Sequence, residues 1–134
     1  MRNYRLFKSE KLCSKREIDL LYSSGKSIIA FPLRAVWLAV PALDDKPPVA
    51  ARFLISIPKK RIRHAVGRVL LRRRTREAYR LNRELLADVT AQGKTVLIGF
   101  NWVANEDRKY STIERSMREL LNKIATAVTS DNEQ

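Results

Sequence analysis

The residues best placed to do chemistry are arginines, recurring at 68, 72, 73, 74, 76, 80 and 83. On a helix of about 100° per residue, Arg68, Arg72, Arg76 and Arg80 drift by only about 40° per step of four, so they form a ridge that Arg73 and Arg83 broaden. Between residues 68 and 80 there are six arginines and one acid, Glu77. Like charges at that spacing destabilise a bare helix by a few tenths of a kcal/mol per pair, and phosphates seated between them would relieve the repulsion. Arginine rather than lysine favours forked contacts to phosphate oxygens. Lys59, Lys60, Arg61 and Arg63 stand just before the helix, where backbone N–H groups are free to receive an anion. The chemistry is capture of a polyanion, RNA or DNA. Arg74 falls on the apolar side of the helix and must snorkel outward, which makes it the arginine least suited to that contact.

No comparable case exists for catalysis. His64 is the single histidine and Cys13 the single cysteine, so neither a disulfide nor a Cys/His zinc set can be assembled. Asp44 and Asp45 fall in a polar turn and the other acids on helix surfaces, with no carboxylate cluster suited to two-metal hydrolysis. We therefore assign no catalytic residue and no metal ligand. Tyr22, Phe31 and Trp37 offer rings on which unpaired bases could stack, although aromatics on strands and amphipathic helices are more often core.

A chain of 134 residues fits one domain, here 1–134 with a frayed tail at 129–134. Its 45% hydrophobic and 31% charged residues are a globular balance, despite a net charge of +13 from 27 Lys and Arg against 14 Asp and Glu. That excess repels itself unless a polyanion is usually near. The longest apolar stretch, 28–43, is broken by Pro32, Arg34 and Pro41, and the N-terminus lacks the apolar core of a signal peptide, so no membrane association is expected. A lone cysteine suits the reducing cytoplasm.

The elements that must position the arginines follow from periodicity. Ser14 with Glu17 three residues on is a capping box opening a short helix over 14–24, with Ile18, Leu21 and Tyr22 on one face and Gly25 as a left-handed stop. Residues 27–40 read as one strand, with Pro32 confining its early part to an edge or bulge, and 49–57 as a second strand pairing with it as an antiparallel hairpin. A long helix over 64–86 follows, its apolar side formed by Leu70, Leu71, Ala78, Leu81 and Leu85. After Gly93 comes a strand over 94–100, then a helix over 112–128 burying Ile113, Met117, Leu120, Leu121 and Ile124. The order α-β-β-α-β-α predicts an α+β fold, a two-layer α/β sandwich in which helices cover one face of a small sheet.

Several stretches, together covering most of the chain, resemble the bacterial ribonuclease P protein family. These are FKSEKLCSKREIDLLYSSGKS at 7–27, PLR at 32–34, ISIPKKRIRHAVGRVLLRRRTREAYR at 55–80 and YSTIERSMRELLNKI at 110–124. The Lys-Lys, then Ala-Val, then arginine-rich helix ending in Arg-Glu-Ala-Tyr-Arg is the most specific of them. The family carries Arg-Asn-Arg near the helix start; here those positions are Arg68, Val69 and Leu70, and one extra residue stands between Lys60 and Ala65.

The resemblance implies a ribosomal-protein-like sandwich with a left-handed βαβ crossover, against the usual right-handed rule. It implies a ribonucleoprotein endoribonuclease in which a catalytic RNA, with magnesium ions held mainly on that RNA, removes the 5′ leader of precursor tRNA. The protein alone is then not catalytic and binds no cofactor. It further implies that Arg68, Arg72, Arg73 and Arg76 grip the catalytic RNA, with Arg80 matching another basic family position. Ile18, Tyr22, Val36, Lys59 and Lys60 match leader-cleft positions, Ile18 standing where an aromatic is frequent. The competing readings are a structural, ribosomal-type RNA-binding protein without a role in tRNA processing, a DNA-binding architectural module, and an adaptor for acidic proteins. Lack of an evident helix-turn-helix pair counts against DNA as partner.

Overall fold

The computed structural model describes residues 10–41 and 49–132. Helix α1 (Lys15–Ser24) is followed by strands β1 (Lys26–Ala30), β2 (Leu33–Pro41) and β3 (Ala51–Ser56). Helix α2 (Ala65–Asn82) continues through a 3-10 turn (Arg83–Leu86) into the short α3 (Ala87–Ala91), and strand β4 (Lys94–Trp102) and helix α4 (Tyr110–Asn132) close the chain. The mixed α+β fold expected from the sequence is what forms, with one difference: helices lie on both faces of the sheet, α1 on one and α2 with α4 on the other.

Ser14 does cap α1: its hydroxyl accepts the Glu17 N–H at 3.3 Å. The reciprocal half of the box is absent, because the Glu17 carboxylate instead pairs with Arg52 on β3 at 2.8 Å. Gly25 is not a left-handed stop either. Its backbone is extended (φ −74°, ψ 158°), and glycine is needed because a Cβ there would sit 2.4 Å from the Leu21 carbonyl oxygen and 2.9 Å from a Val36 methyl.

Two strand expectations are corrected. Residues 27–40 are two strands, not one: the chain reverses at Phe31-Pro32, a cis peptide, and β1 pairs antiparallel with β2 from Lys26↔Trp37 to Ala30↔Leu33. Nor do β2 and β3 form a hairpin. The sheet order is β1-β2-β4-β3, with β4 antiparallel to β2 and parallel to β3. The reason lies in β4, seven of whose nine residues are buried. A strand apolar on both faces belongs in a sheet interior, so it takes the place between the other two. The connection at 42–48, with Asp44 and Asp45, lies outside the described residues.

Alternation along the strands separates two cores. Val96, Ile98, Phe100 and Trp102 of β4, with Ala35 and Trp37 of β2, face α2 and α4 in the main core. Leu97, Val36, Leu38 and Leu54 point to the opposite face, where Leu12, Ile18 and Leu21 cover them. Helix α4 supplies the predicted stripe of Ile113, Met117, Leu120, Leu121 and Ile124, all fully buried, and runs on to Asn132 rather than stopping near 128. Each such side chain contributes about 1.5–3 kcal/mol relative to exposure.

Candidate nucleic-acid interface

Helix α2 packs through Leu71, Thr75, Ala78 and Tyr79, a face rotated from the one expected. Leu70 and Leu81 are only half-buried, while Tyr79 is fully buried, its ring 4.2 Å from that of Phe53 and 6.2 Å from that of Phe100. Aromatic stacking with the sheet turned the helix toward Tyr79, a contact periodicity alone does not reveal. Burial pushes the Tyr79 phenol far up, with the neighbouring Glu10 carboxylate adding to the effect.

The rotation leaves Arg73 and Arg76 exposed and Arg72 half-buried on the outward side. Among the described residues these three have no hydrogen-bond or ion-pair partner. The other arginines are engaged within the fold. Arg68 donates to the carbonyls of Ile62 and Arg63 at 3.0 and 2.9 Å, fastening the turn into α2. Arg74 donates to the Arg108 carbonyl at 2.8 Å, in keeping with its place on the apolar side. Arg80 binds Glu77, its Nε 3.0 Å from a carboxylate oxygen, and that hydrogen bond holds the Glu77 carboxyl below the usual range. Arg83 pairs with Glu10, whose side chain is 5% exposed. Val66 and Val69 are 81% and 51% exposed, so the family's asparagine position carries an apolar side chain on the outward surface.

Before α2, the turn carrying Lys59, Lys60, Arg61, Ile62, Arg63, His64 and Gly67 faces Asn105, Glu106 and Asp107 across an open groove of about 890 Å³. Arg61 bridges it with a 2.8 Å hydrogen bond to Asn105. Lys59, Lys60 and Arg63 are exposed, so the basic surface continues from the end of β3 onto α2 as the sequence suggested.

The five residues matched to a leader cleft fall in two groups. Ile18 and Val36 belong to the small core beneath α1, Val36 being 7% exposed, whereas Tyr22 is 47% exposed at its margin. The Tyr22 hydroxyl meets Asn101 Oδ1 at 3.3 Å, and its ring passes over Gly99, where a Cβ would come within 2.5 Å of the phenol oxygen. Glycine there lets the ring lie against the sheet. Ser56, in register with Asn101, ends β3 three residues before Lys59, so strand register brings the two groups to one end of the sheet. Trp37 is buried with Lys26 5.5 Å from its ring centre, while Phe31 is 57% exposed. Of the three candidate stacking rings, Tyr22 and Phe31 reach the surface. Asn101, Gly99 and Arg34 were not singled out from sequence; alternation along β4 and recognition of the Phe31-Pro32 reversal would have placed them on this face.

Among the described residues no group of three or more His, Cys, Asp or Glu side chains could hold a metal ion, and no helix is long and apolar enough to cross a membrane. The fold and its outward arginines define a class: a single-sheet α+β protein with an exposed basic helix face.

Comparison with known proteins narrows the class. The family model for ribonuclease P matches residues 6–125. The ribonuclease P protein component of Porphyromonas gingivalis strain W83 is 39% identical over 129 residues, covering 95% of this chain and 91% of that protein. Its counterpart in strain ATCC 33277 is 38% identical over the same coverage. A solved structure of the Staphylococcus aureus RNase P protein superposes with a TM-score of 0.52 over 88% of this chain and 96% of that one, at 21% identity, a likeness of fold. The chain belongs to the ribonuclease P protein family.

Proposed function

We propose that this chain is the protein subunit of ribonuclease P, binding a catalytic RNA and the 5′ leader of precursor tRNA to promote endonucleolytic maturation of the tRNA 5′ end. The observation that carries the reading is the outward row of Arg72, Arg73 and Arg76, three guanidinium groups without a partner among the described residues on a helix whose other arginines are engaged. Arg61, Arg63, Arg68 and Arg80 flank that row and add positive potential to the same docking surface, Arg68 also holding the turn in shape. Tyr22, with Lys59 and Lys60, receives the leader, and Ile18 on the inner side of α1 packs with Val36 of β2 in the small core that seats the helix.

In this reading the hydrolytic chemistry belongs to the RNA, with magnesium ions held there. The protein neutralises phosphates and orients the leader, a contribution of positioning rather than proton transfer. Such a subunit works in the cytoplasm with precursor tRNA as substrate. The test is cleavage of labelled precursor tRNA at low magnesium by cognate ribonuclease P RNA alone, by the protein alone and by the two combined. The combination is expected to release the mature 5′ end far faster than RNA alone, and the protein alone to release none. Tight RNA binding without stimulation would reassign the chain to a structural RNA-binding role.

A further inference from the structure

Beyond the Tyr22 cleft the open face of the sheet carries a second set of groups. Register places Ser56 opposite Asn101, Asn101 opposite Arg34 and Arg34 opposite Ile29, so one row crosses all four strands on the face that α1 leaves uncovered. At about 4.8 Å per strand the row runs roughly 14 Å from β3 to β1. It contains hydrogen-bonding groups, a cation and an exposed apolar side chain, and no carboxylate. Arg34 is exposed and steadied by a 2.8 Å hydrogen bond from its Nε to Ser27, and Ile29 is 61% exposed.

The row ends beside the β1–β2 turn, where Phe31 stands exposed. Its backbone is anchored by Ser116, whose hydroxyl donates to the Phe31 carbonyl at 2.8 Å, and the adjoining Pro32 carbonyl accepts the Val103 N–H at 3.0 Å. The Arg108 guanidinium lies 5.4 Å from the ring centre and is held by Glu106 at 2.7 Å. An apolar ring this open, its backbone anchored and a guanidinium beside it, is not accounted for by core packing.

We propose that Phe31, with Arg108, is a second base-stacking subsite for single-stranded RNA, reached from Tyr22 along Asn101 and Arg34. Single-stranded nucleic acid is the occupant because the path from Tyr22 through Arg34 to Phe31 offers in turn what bases and phosphates of such a strand bind: a stacking ring, a guanidinium, then another ring. Arg34 neutralises a phosphate between the two stacked bases. The inference rests on the leader-binding reading, since the strand that enters at Tyr22 is then the one that continues to Phe31.

The test uses holoenzyme assembled with cognate ribonuclease P RNA and a series of precursor tRNAs whose leaders lengthen one nucleotide at a time. Phe31→Ala should weaken binding about fivefold or more once the leader is long enough to reach the turn, and leave shorter leaders unchanged. Phe31→Trp should restore affinity, and Arg34→Ala should flatten the salt dependence for long leaders by about one unit. A 2-aminopurine placed at the distal nucleotide should be quenched in the unaltered holoenzyme and brightened by Phe31→Ala. Equal binding of long leaders by Phe31→Ala overturns the subsite, as does an equal loss for every leader length, which would mark a general defect. A change in self-association without a leader effect overturns it in favour of a protein contact. Failure of the underlying reading looks different, because no precursor is then cleaved faster when the protein is added.

Discussion

The two long helices that share the main core treat their outer surfaces in opposite ways. Helix α4 balances its own charge: Glu114 pairs with Arg118 at 3.0 Å and Glu119 with Lys123 at 3.7 Å, each one turn apart. Helix α2 pairs Arg80 with Glu77 and leaves Arg72, Arg73 and Arg76 facing outward without a described partner. Both are held by buried apolar faces of the same quality, Leu71, Ala78 and Tyr79 on one and Ile113, Met117, Leu120 and Leu121 on the other, all fully buried. Packing therefore does not explain the difference. An outer face meant only for water tolerates mixed charge, whereas one kept at a single sign carries a standing repulsion that an external anion removes.

The largest expected effect separates the helices directly. Replacing Arg72, Arg73 and Arg76 together by alanine removes three charge-assisted contacts of about 1.5 kcal/mol or more each, so affinity for structured RNA should fall at least about a thousandfold. The slope of log K against log salt should flatten from about −3 to −4 toward about −1. Fluorescence titrations at several salt concentrations measure both, and an unchanged slope would take the ridge out of the interface.

Arg83 sharpens the contrast within one arginine-rich stretch. It pairs with the buried Glu10, so Arg83→Met takes the guanidinium away from a carboxylate held out of water and should cost about 1.5–3 kcal/mol in denaturant unfolding, with the salt slope of RNA binding unchanged. On α4, Arg118→Ala and Lys123→Ala should each shift stability by less than about 0.5 kcal/mol and leave RNA affinity as it was. A loss of RNA binding in either would extend the interface onto α4.

The smallest effect concerns Glu77. Its folded-state pKa is lowered, chiefly by the hydrogen bond from Arg80, so its contribution to stability is present above the unfolded value of 4.5 and is lost as pH falls through the folded one. Because the pair is solvent-exposed, the advantage of the unaltered protein over Glu77→Gln should be a few tenths of a kcal/mol near neutrality and shrink below about pH 4.5. Thermal unfolding across that window tests it. The same variant removes the carboxylate charge beside Arg80, and the RNA salt slope should steepen by up to about one unit.

Much of this molecule could be read from the chain in order. The arginine spacing, the Ser14 cap, the stripe of α4 and the apolar run of β4 are local patterns, and local patterns are written by neighbours three or four residues apart on a helix or two apart on a strand. They determined the α+β class, the basic surface and the family resemblance. Tertiary structure decided what depends on distant partners. It placed β4 between β2 and β3, because that strand is the most fully buried on both faces, and it turned α2 until Tyr79 met Phe53 and Phe100. It also sorted the arginines, drawing Arg83 to Glu10 and Arg74 to the Arg108 carbonyl while leaving Arg72, Arg73 and Arg76 open. Seven arginines look alike in sequence; what distinguishes them is whether the fold brings an acceptor within reach, and that acceptor can lie more than seventy residues away, as Glu10 does from Arg83.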